Sequence, residues 1–331
     1  MGDIILTASA LHALKQAWPQ TRVLVATKAR FSCLLRDDPH VDEVIGLEAG
    51  ESFAHFRSRL AKLRPGAILD LHNKLRSAGL RWLLSVDRKV VWHKRPLLQG
   101  LKVRLGLGPY HAAPLLADRY HAAVEELVGL RLPPGELRFF VRDEARARVR
   151  ALLEQVGIDL SRPIVGMAPC AMWQTKRWPP ERYAELAARC LRAGKQVVLS
   201  GSADEADVTR MIAAQAPKIV DLAGKVSLAD LGAFIDLCSV FVANDSGPMH
   251  LSRALGVPTL AFFGSTDPAQ FDFSGHALMF VGLECSPCSL YGRARCPKGH
   301  FRCMLDLGVD RAFEALMRIA AGPARVPRVR G

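Results

Sequence analysis

Seven consecutive residues, Asn244-Asp245-Ser246-Gly247-Pro248-Met249-His250, bring a carboxylate, a hydroxyl, an imidazole and a glycine into one short segment. An apolar run, residues 240–243, leads into it, and residues 249–255 continue at helical spacing. The segment therefore reads as a strand, a polar turn and a helix start. Backbone N–H groups at a helix start, helped by the Ser246 hydroxyl, suit a phosphate. Asp245 suits sugar hydroxyls. Gly247 lets the backbone approach a ligand closely. His250 lies one helical turn beyond Ser246 and can reach the same ligand, although a lone histidine is more often structural. A second apolar run, residues 259–263, ends in Gly264-Ser265-Thr266-Asp267-Pro268. Both turns fall at the carboxyl ends of strands, where open α/β sheets place their ligands.

Lys176 stands in Trp173-Gln174-Thr175-Lys176-Arg177-Trp178-Pro179, after the strand at 164–168. An ammonium there can meet a phosphate or another anion; the plainer reading is a solvated loop lysine. Trp178-Pro179 suits a helix cap better than a substrate contact. Asp3 reads as a helix N-cap, and Glu205, in Gly201-Ser202-Ala203-Asp204-Glu205, as an acidic residue at a helix start. His72, Asn73 and Arg76 follow a strand at 67–71, and Arg76 can meet an anionic group. Cys285, Cys288, Cys296 and Cys303 lie close enough in sequence for a structural zinc, but their spacing is not that of two CxxC knuckles. The other four cysteines read as small buried residues.

The elements that position these residues alternate. Strands are expected at 22–26, 44–47, 67–71 and 89–92, with a helix bearing Leu6, Leu11 and Leu14 before them and another at 119–130. A charged amphipathic helix follows at 143–156. Strands at 164–168, 196–200, 219–222, 240–243 and 259–263 then alternate with helices at 181–193, 205–215, 228–238 and 248–255. Such alternation implies βαβ units and parallel sheets. The fold class expected is α/β: two doubly wound domains facing a cleft, 1–157 and 158–308, with a terminal helix and basic tail, 309–331, packing back on the first. One strand is missing from this pattern. Met1-Gly2-Asp3 leads straight into a helix, whereas a doubly wound domain starts with a central strand. Either another segment fills the slot or the natural start lies upstream of Met1; the second is the expectation, because an empty slot leaves backbone groups unpaired on both sides.

Half of the 331 residues are hydrophobic and 23% are charged, as in a globular chain. No apolar stretch approaches the roughly 18 residues that span a bilayer, and no signal-peptide pattern is present; a cytoplasmic location is expected. The net charge is +13. Its arginines are dispersed and not interleaved with aromatics, so an anionic membrane surface or acidic substrate is preferred to nucleic acid. Walker A, Gly-x-Gly-x-x-Gly and His-Glu-x-x-His patterns are absent, which argues against P-loop, standard NAD and zinc-protease chemistry.

Four segments together resemble the heptosyltransferases of glycosyltransferase family 9: Gly2-Asp3-Ile4-Ile5-Leu6-Thr7, the segment 173–179, the segment 201–205, and the segment 244–250. Their order and spacing carry the resemblance. It implies a GT-B fold, with the acceptor on the first Rossmann-like domain and the donor on the second. It implies Asp3 as general base and a contact from Glu205 to the nucleotide ribose. Thr175, Lys176, Asp245, Ser246, Gly247 and His250 become donor-binding, with Lys176 also catalytic; His72, Asn73 and Arg76 become candidate acceptor contacts. The implied reaction is inverting, metal-independent transfer of heptose from ADP-L-glycero-D-manno-heptose to the lipopolysaccharide inner core, with no cofactor required, at the inner face of the inner membrane. A sugar-nucleotide 2-epimerase of the same architecture and a non-catalytic nucleotide-sugar binding protein are the alternatives.

Overall fold

The computed structural model describes residues 1–92, 115–133 and 135–322. They divide into two compact units, the described residues from 3 to 138 and those from 139 onward.

The first unit runs α1 (Gly2–Ala17), β1 (Leu24–Lys28), β2 (Glu43–Leu47), α2 (Phe53–Lys62), β3 (Ala67–Asp70), α3 (Leu75–Leu83), β4 (Arg88–Val91) and α4 (Leu116–Val128). Helix α1 buries Ile5, Leu6, Ala8, Ala10, Leu11, Ala13 and Leu14, so apolar contact surrounds it instead of following one stripe. Helix α4 ends at Gly129, whose φ of 80° is the left-handed cap that glycine adopts without a Cβ clash. The strands form two separate parallel pairs. β1 pairs with β2, Leu24 opposite Glu43, and β3 pairs with β4, Ala67 opposite Arg88. Among the described residues no strand joins the pairs. Helices α2 and α3 were not expected from sequence; α2 buries only Phe56 and Leu60, and α3 buries nothing fully, so neither shows a strong apolar stripe.

The second unit begins with α5 (Asp143–Gln155). Then follow β5 (Ile164–Ala168), α6 (Pro180–Arg192), β6 (Gln196–Leu199), α7 (Ala206–Ala213) and β7 (Ile219–Asp221). The series continues with α8 (Leu231–Asp236), β8 (Val240–Asn244), α9 (Gly247–Ala254), β9 (Thr259–Phe262), β10 (Ala277–Met279), α10 (Arg302–Leu305) and α11 (Val309–Ala320). All six strands are parallel, in the order β7-β6-β5-β8-β9-β10. Numbered within the unit this is 3-2-1-4-5-6, the order of dinucleotide-binding sheets. The sheet reverses its winding between β5 and β8, which pair with Val165 opposite Val240 and Ala168 opposite Ala243. Both strands are buried along their whole length, which explains their unbroken apolar runs.

Two placements differ from the domain division expected. Helix α5 belongs with the second unit: it packs on α8, with Arg146 bonded to Asp236 at 2.9 Å and Arg148 to Asp230 at 2.6 Å. Helix α11 also lies in the second unit, against α6, β9 and β10, burying Val309, Ala312 and Leu316. Among the described residues no helix is long and apolar enough to cross a membrane.

A Cβ on Gly166, in the centre of β5, would stand 2.5 Å from the Cys238 sulfur and 2.7 Å from the Phe241 ring. We therefore expect Gly166→Ala to lower the stability of the second unit by about 1–3 kcal/mol, read from urea unfolding. His276 offers a pH test. Burial, with Arg253 nearby, pushes its imidazole down from the ordinary 6.5 to about 4. The folded state therefore holds it neutral, so its stabilisation is complete above pH 6.5 and is lost as pH falls towards 4. The melting temperature should drop over that interval, and His276→Gln should flatten the drop.

Candidate functional site

The turns after β5 and β8 flank the point where the sheet changes direction. Leaving adjacent strands in opposite senses, they open a crevice at the strand ends. Residues 169–178 follow β5 and carry one short 3-10 turn, Gln174–Lys176. Lys176 sends its ammonium to Asp245, just past β8, with Nζ to Oδ2 at 2.5 Å. Asp245 is buried and Lys176 half-buried. Burial alone would raise the Asp245 pKa, but Lys176, His250 and the Thr266 hydroxyl outweigh it and hold the carboxyl below its ordinary range. Thr266 donates to Asp245 Oδ2 at 2.7 Å, and His250 Nε2 stands 3.9 Å from Oδ1 with its ring edge-on to Phe271. The Lys176 side chain is thus fixed in place by a carboxylate that stays ionised.

Ser246 is the N-cap of α9, in extended conformation, and its side chain makes no capping bond. Its hydroxyl oxygen is buried without a hydrogen-bond partner in the protein. A buried hydroxyl left so forfeits about 1–3 kcal/mol, which a ligand oxygen can restore. The first turn of α9 begins Gly247-Pro248, so its early amides remain unclaimed by the helix and Pro248 brings none. Ammonium, hydroxyl and helix start at one crevice suit an anionic ligand.

The structure gives the remaining expected residues more specific settings. Thr175 is buried, and its hydroxyl is occupied within the protein: it lies 2.9 Å from Ser265 Oγ and accepts from the Arg293 amide at 2.8 Å. The Thr175 amide donates back to the Arg293 carbonyl at 3.1 Å. Thr175 thus fastens the Lys176 turn to the 265 turn and to the segment around 293. Glu205 closes a capping box on Ser202, accepting its amide at 2.8 Å through Oε2; it is half-buried at the strand end after β6, and Oε2 is engaged locally. Trp178 lies wholly in the core, stacked on Phe262 at 4.1 Å, while Pro179 caps α6.

In the first unit Asp3 is exposed in the opening turn of α1. His72 and Arg76 are exposed and Asn73 is half-buried. Their turn is organised by Asp70, which accepts the His72 and Asn73 amides at 3.0 and 2.8 Å and pairs with Arg81 at 2.8 Å. Asn73 takes a φ of 48°, which asparagine tolerates better than most residues.

All eight cysteines are free thiols. Among the described residues no group of three or more His, Cys, Asp or Glu side chains is arranged to hold a metal ion, although Cys285 lies 3.7 Å from His300. Burial and the thiols of Cys288, Cys296 and Cys285 push Cys303 up to about 11, and burial pushes Cys170 up to about 12. Both are protonated at neutral pH and unsuited as nucleophiles.

Asp70, Ser265, Thr266 and Arg293 were not among the site residues expected from sequence. Thr266 was within reach of such reasoning, since its polar turn ends an apolar strand. The Thr175–Arg293 clasp spans 118 positions and has no local signature.

Comparison with known proteins agrees with this fold. Residues 54–298 match the family described as glycosyltransferase family 9 (heptosyltransferase). Lipopolysaccharide heptosyltransferase 2 of Salmonella typhimurium is 26% identical over 96% of this chain and 94% of its own length. Lipooligosaccharide heptosyltransferase 2 of Haemophilus influenzae is 29% identical over 97% of each. Among solved structures, ADP-heptose lipopolysaccharide heptosyltransferase II of Escherichia coli superposes with a TM-score of 0.76 at 25% identity, covering 96% of this chain and 95% of that one. A family 9 glycosyltransferase from Veillonella parvula gives 0.82 at 19% identity, covering 98% and 95%. The fold is of the GT-B type, and the relatives favour transfer over the epimerase and binding-protein alternatives. A match across most of the chain, carried on a doubly wound sheet with these residues at its switch point, places the protein in glycosyltransferase family 9, the heptosyltransferase family.

Proposed function

We propose that the protein transfers heptose from ADP-L-glycero-D-manno-heptose to the inner core of lipopolysaccharide, with inversion at the anomeric carbon and without a metal. The observation that carries the reading is the Lys176–Asp245 ion pair beside the partnerless Ser246 hydroxyl at the start of α9. Lys176 and the α9 start hold the donor diphosphate. Asp245 keeps the ammonium aimed. The acceptor oxygen attacks the anomeric carbon, and the bond from that carbon to the diphosphate breaks. ADP leaves with the electron pair while Asp3 takes the acceptor's proton. One displacement inverts the centre. Charge developing on the departing diphosphate meets an ammonium already in place, the task a metal performs elsewhere.

Gly247 allows close approach of the phosphates, and His250 borders the same turn. Thr175 serves the donor by fixing the Lys176 turn. The half-buried carboxylate of Glu205 lies at the end of β6, where a ribose would be met. His72, Asn73 and Arg76 are the acceptor contacts in this reading, Arg76 for an anionic core substituent. The names of the relatives, and the ADP-heptose in that of the Escherichia coli enzyme, support donor and acceptor. The excess of positive charge suits work in the cytoplasm at an anionic membrane surface, with nucleic acid not a partner.

The test is release of ADP from ADP-heptose with truncated core lipopolysaccharide as acceptor. Acceptor-dependent release supports the reading. Absence of turnover with every nucleotide heptose overturns it, and donor consumption without acceptor favours the epimerase. Thermal stabilisation by donor without turnover favours a binding protein. Lys176→Ala should weaken ADP binding by about tenfold to a hundredfold in titration calorimetry, as expected for a lost charge-assisted contact in a buried site. Asp3→Asn should leave ADP binding within about twofold of the parent while lowering kcat by about 10²–10⁴, the range for removal of a general base.

A further inference from the structure

Strand β8 ends at Asn244, one residue before Asp245, and its side chain is fully buried. The β5–β8 ladder reaches Ala168 opposite Ala243. The next residue after β5 is Pro169, which has no N–H to continue it. The Asn244 amide takes over there: Nδ2 donates to the Pro169 carbonyl at 2.8 Å. Its Oδ1 accepts the Trp178 backbone N–H at 2.9 Å. One side chain therefore holds the entry and the exit of the segment 169–178, and Lys176 lies between the two anchors. The exit is firm, because the Trp178 ring stacks on Phe262 at 4.1 Å and its indole N–H donates to the Leu307 carbonyl at 2.9 Å.

We propose that Asn244 is a positioning residue for the leaving-group ammonium: it bridges the switch point and sets the Lys176 segment in register with Asp245. The proposal rests on the donor-diphosphate role given to Lys176 above. Asn244 touches no substrate. It acts by fixing both ends of the loop to the strand whose next residue is the ammonium's ion partner. An amide is the side chain that fits, since the Pro169 carbonyl needs a donor and the Trp178 amide needs an acceptor. Aspartate would face the Pro169 carbonyl with an oxygen, and leucine would leave both backbone groups unpaired.

The experiment is a double-mutant cycle on ADP affinity, by titration calorimetry of the full chain, using Asn244→Ala, Lys176→Ala and the pair. If Asn244 acts through Lys176, Asn244→Ala weakens ADP by about tenfold where Lys176 is present and by less than about twofold where it is not. A general structural role would weaken ADP equally in both backgrounds, and that result overturns the proposal. Should Asn244→Ala not fold, Asn244→Ser carries the same cycle, retaining one hydroxyl for one of the two anchors. An unchanged ADP affinity in Lys176→Ala alone would instead remove the diphosphate role of Lys176, and the positioning role with it. The two failures are thus read from different arms.

Discussion

The parallel pairing of β5 with β8 is the constraint on which the rest of the second unit depends. The two strands are separated by seventy-odd residues of chain and share one ladder, with their onward connections running to opposite sides. Both are buried on both faces, so a slip of one residue would exchange side chains between two closely packed faces. Fixing the strands fixes where they end, and the polar turns follow from that. Lys176 and Asp245 are brought together by the sheet, not by any local preference of either segment.

An ion pair with a buried carboxylate is a poor source of stability, because desolvation offsets much of the attraction. Its value here is orientation. Asp245 is satisfied three ways, by Lys176, by the Thr266 hydroxyl and by its backbone amide on the Phe262 carbonyl. Lys176 is carried on a turn that Thr175 ties to Ser265 and Arg293. Each link is a hydrogen bond of modest net worth. Together they restrain the lysine, so that on the proposed function little reorganisation remains when a diphosphate charge develops.

The legibility of this arrangement in the sequence was uneven for physical reasons. Strands β5 and β8 were plain because strands buried on both faces must be apolar throughout. Helix α6 was plain because Tyr183, Ala184, Leu186, Ala187 and Cys190 fall on one face. Helix α3 was hidden because it buries no residue fully, and β10 because three residues are too few for a pattern. Asp245 and Lys176 stood out by residue type beside a strand end. Glu205 did not resolve, since a ligand and a capping box ask for the same carboxylate, and its capping bond is what the folded chain shows. Asn244 read as a small polar residue ending a strand; its two long-range bonds depend on which strand lies next to β8, and that is a matter of topology.

On the proposed function, the environments of Asp245 and Asp3 suit them to different tasks. A general base must accept a proton and release it to solvent in each turnover, so it needs access and a pKa within reach of the operating pH. Asp245 has neither. It is buried, and Lys176, His250 and Thr266 hold its pKa below the ordinary carboxylate range, so a proton placed there would break the pair that aims the ammonium. A carboxylate so committed can bind and orient but not shuttle. Asp3 is exposed, and it sits in the opening turn of α1, whose apolar side chains are buried around the helix. On the proposed function, acceptor activation is therefore assigned to Asp3, and orientation of the ammonium that meets the departing charge to Asp245.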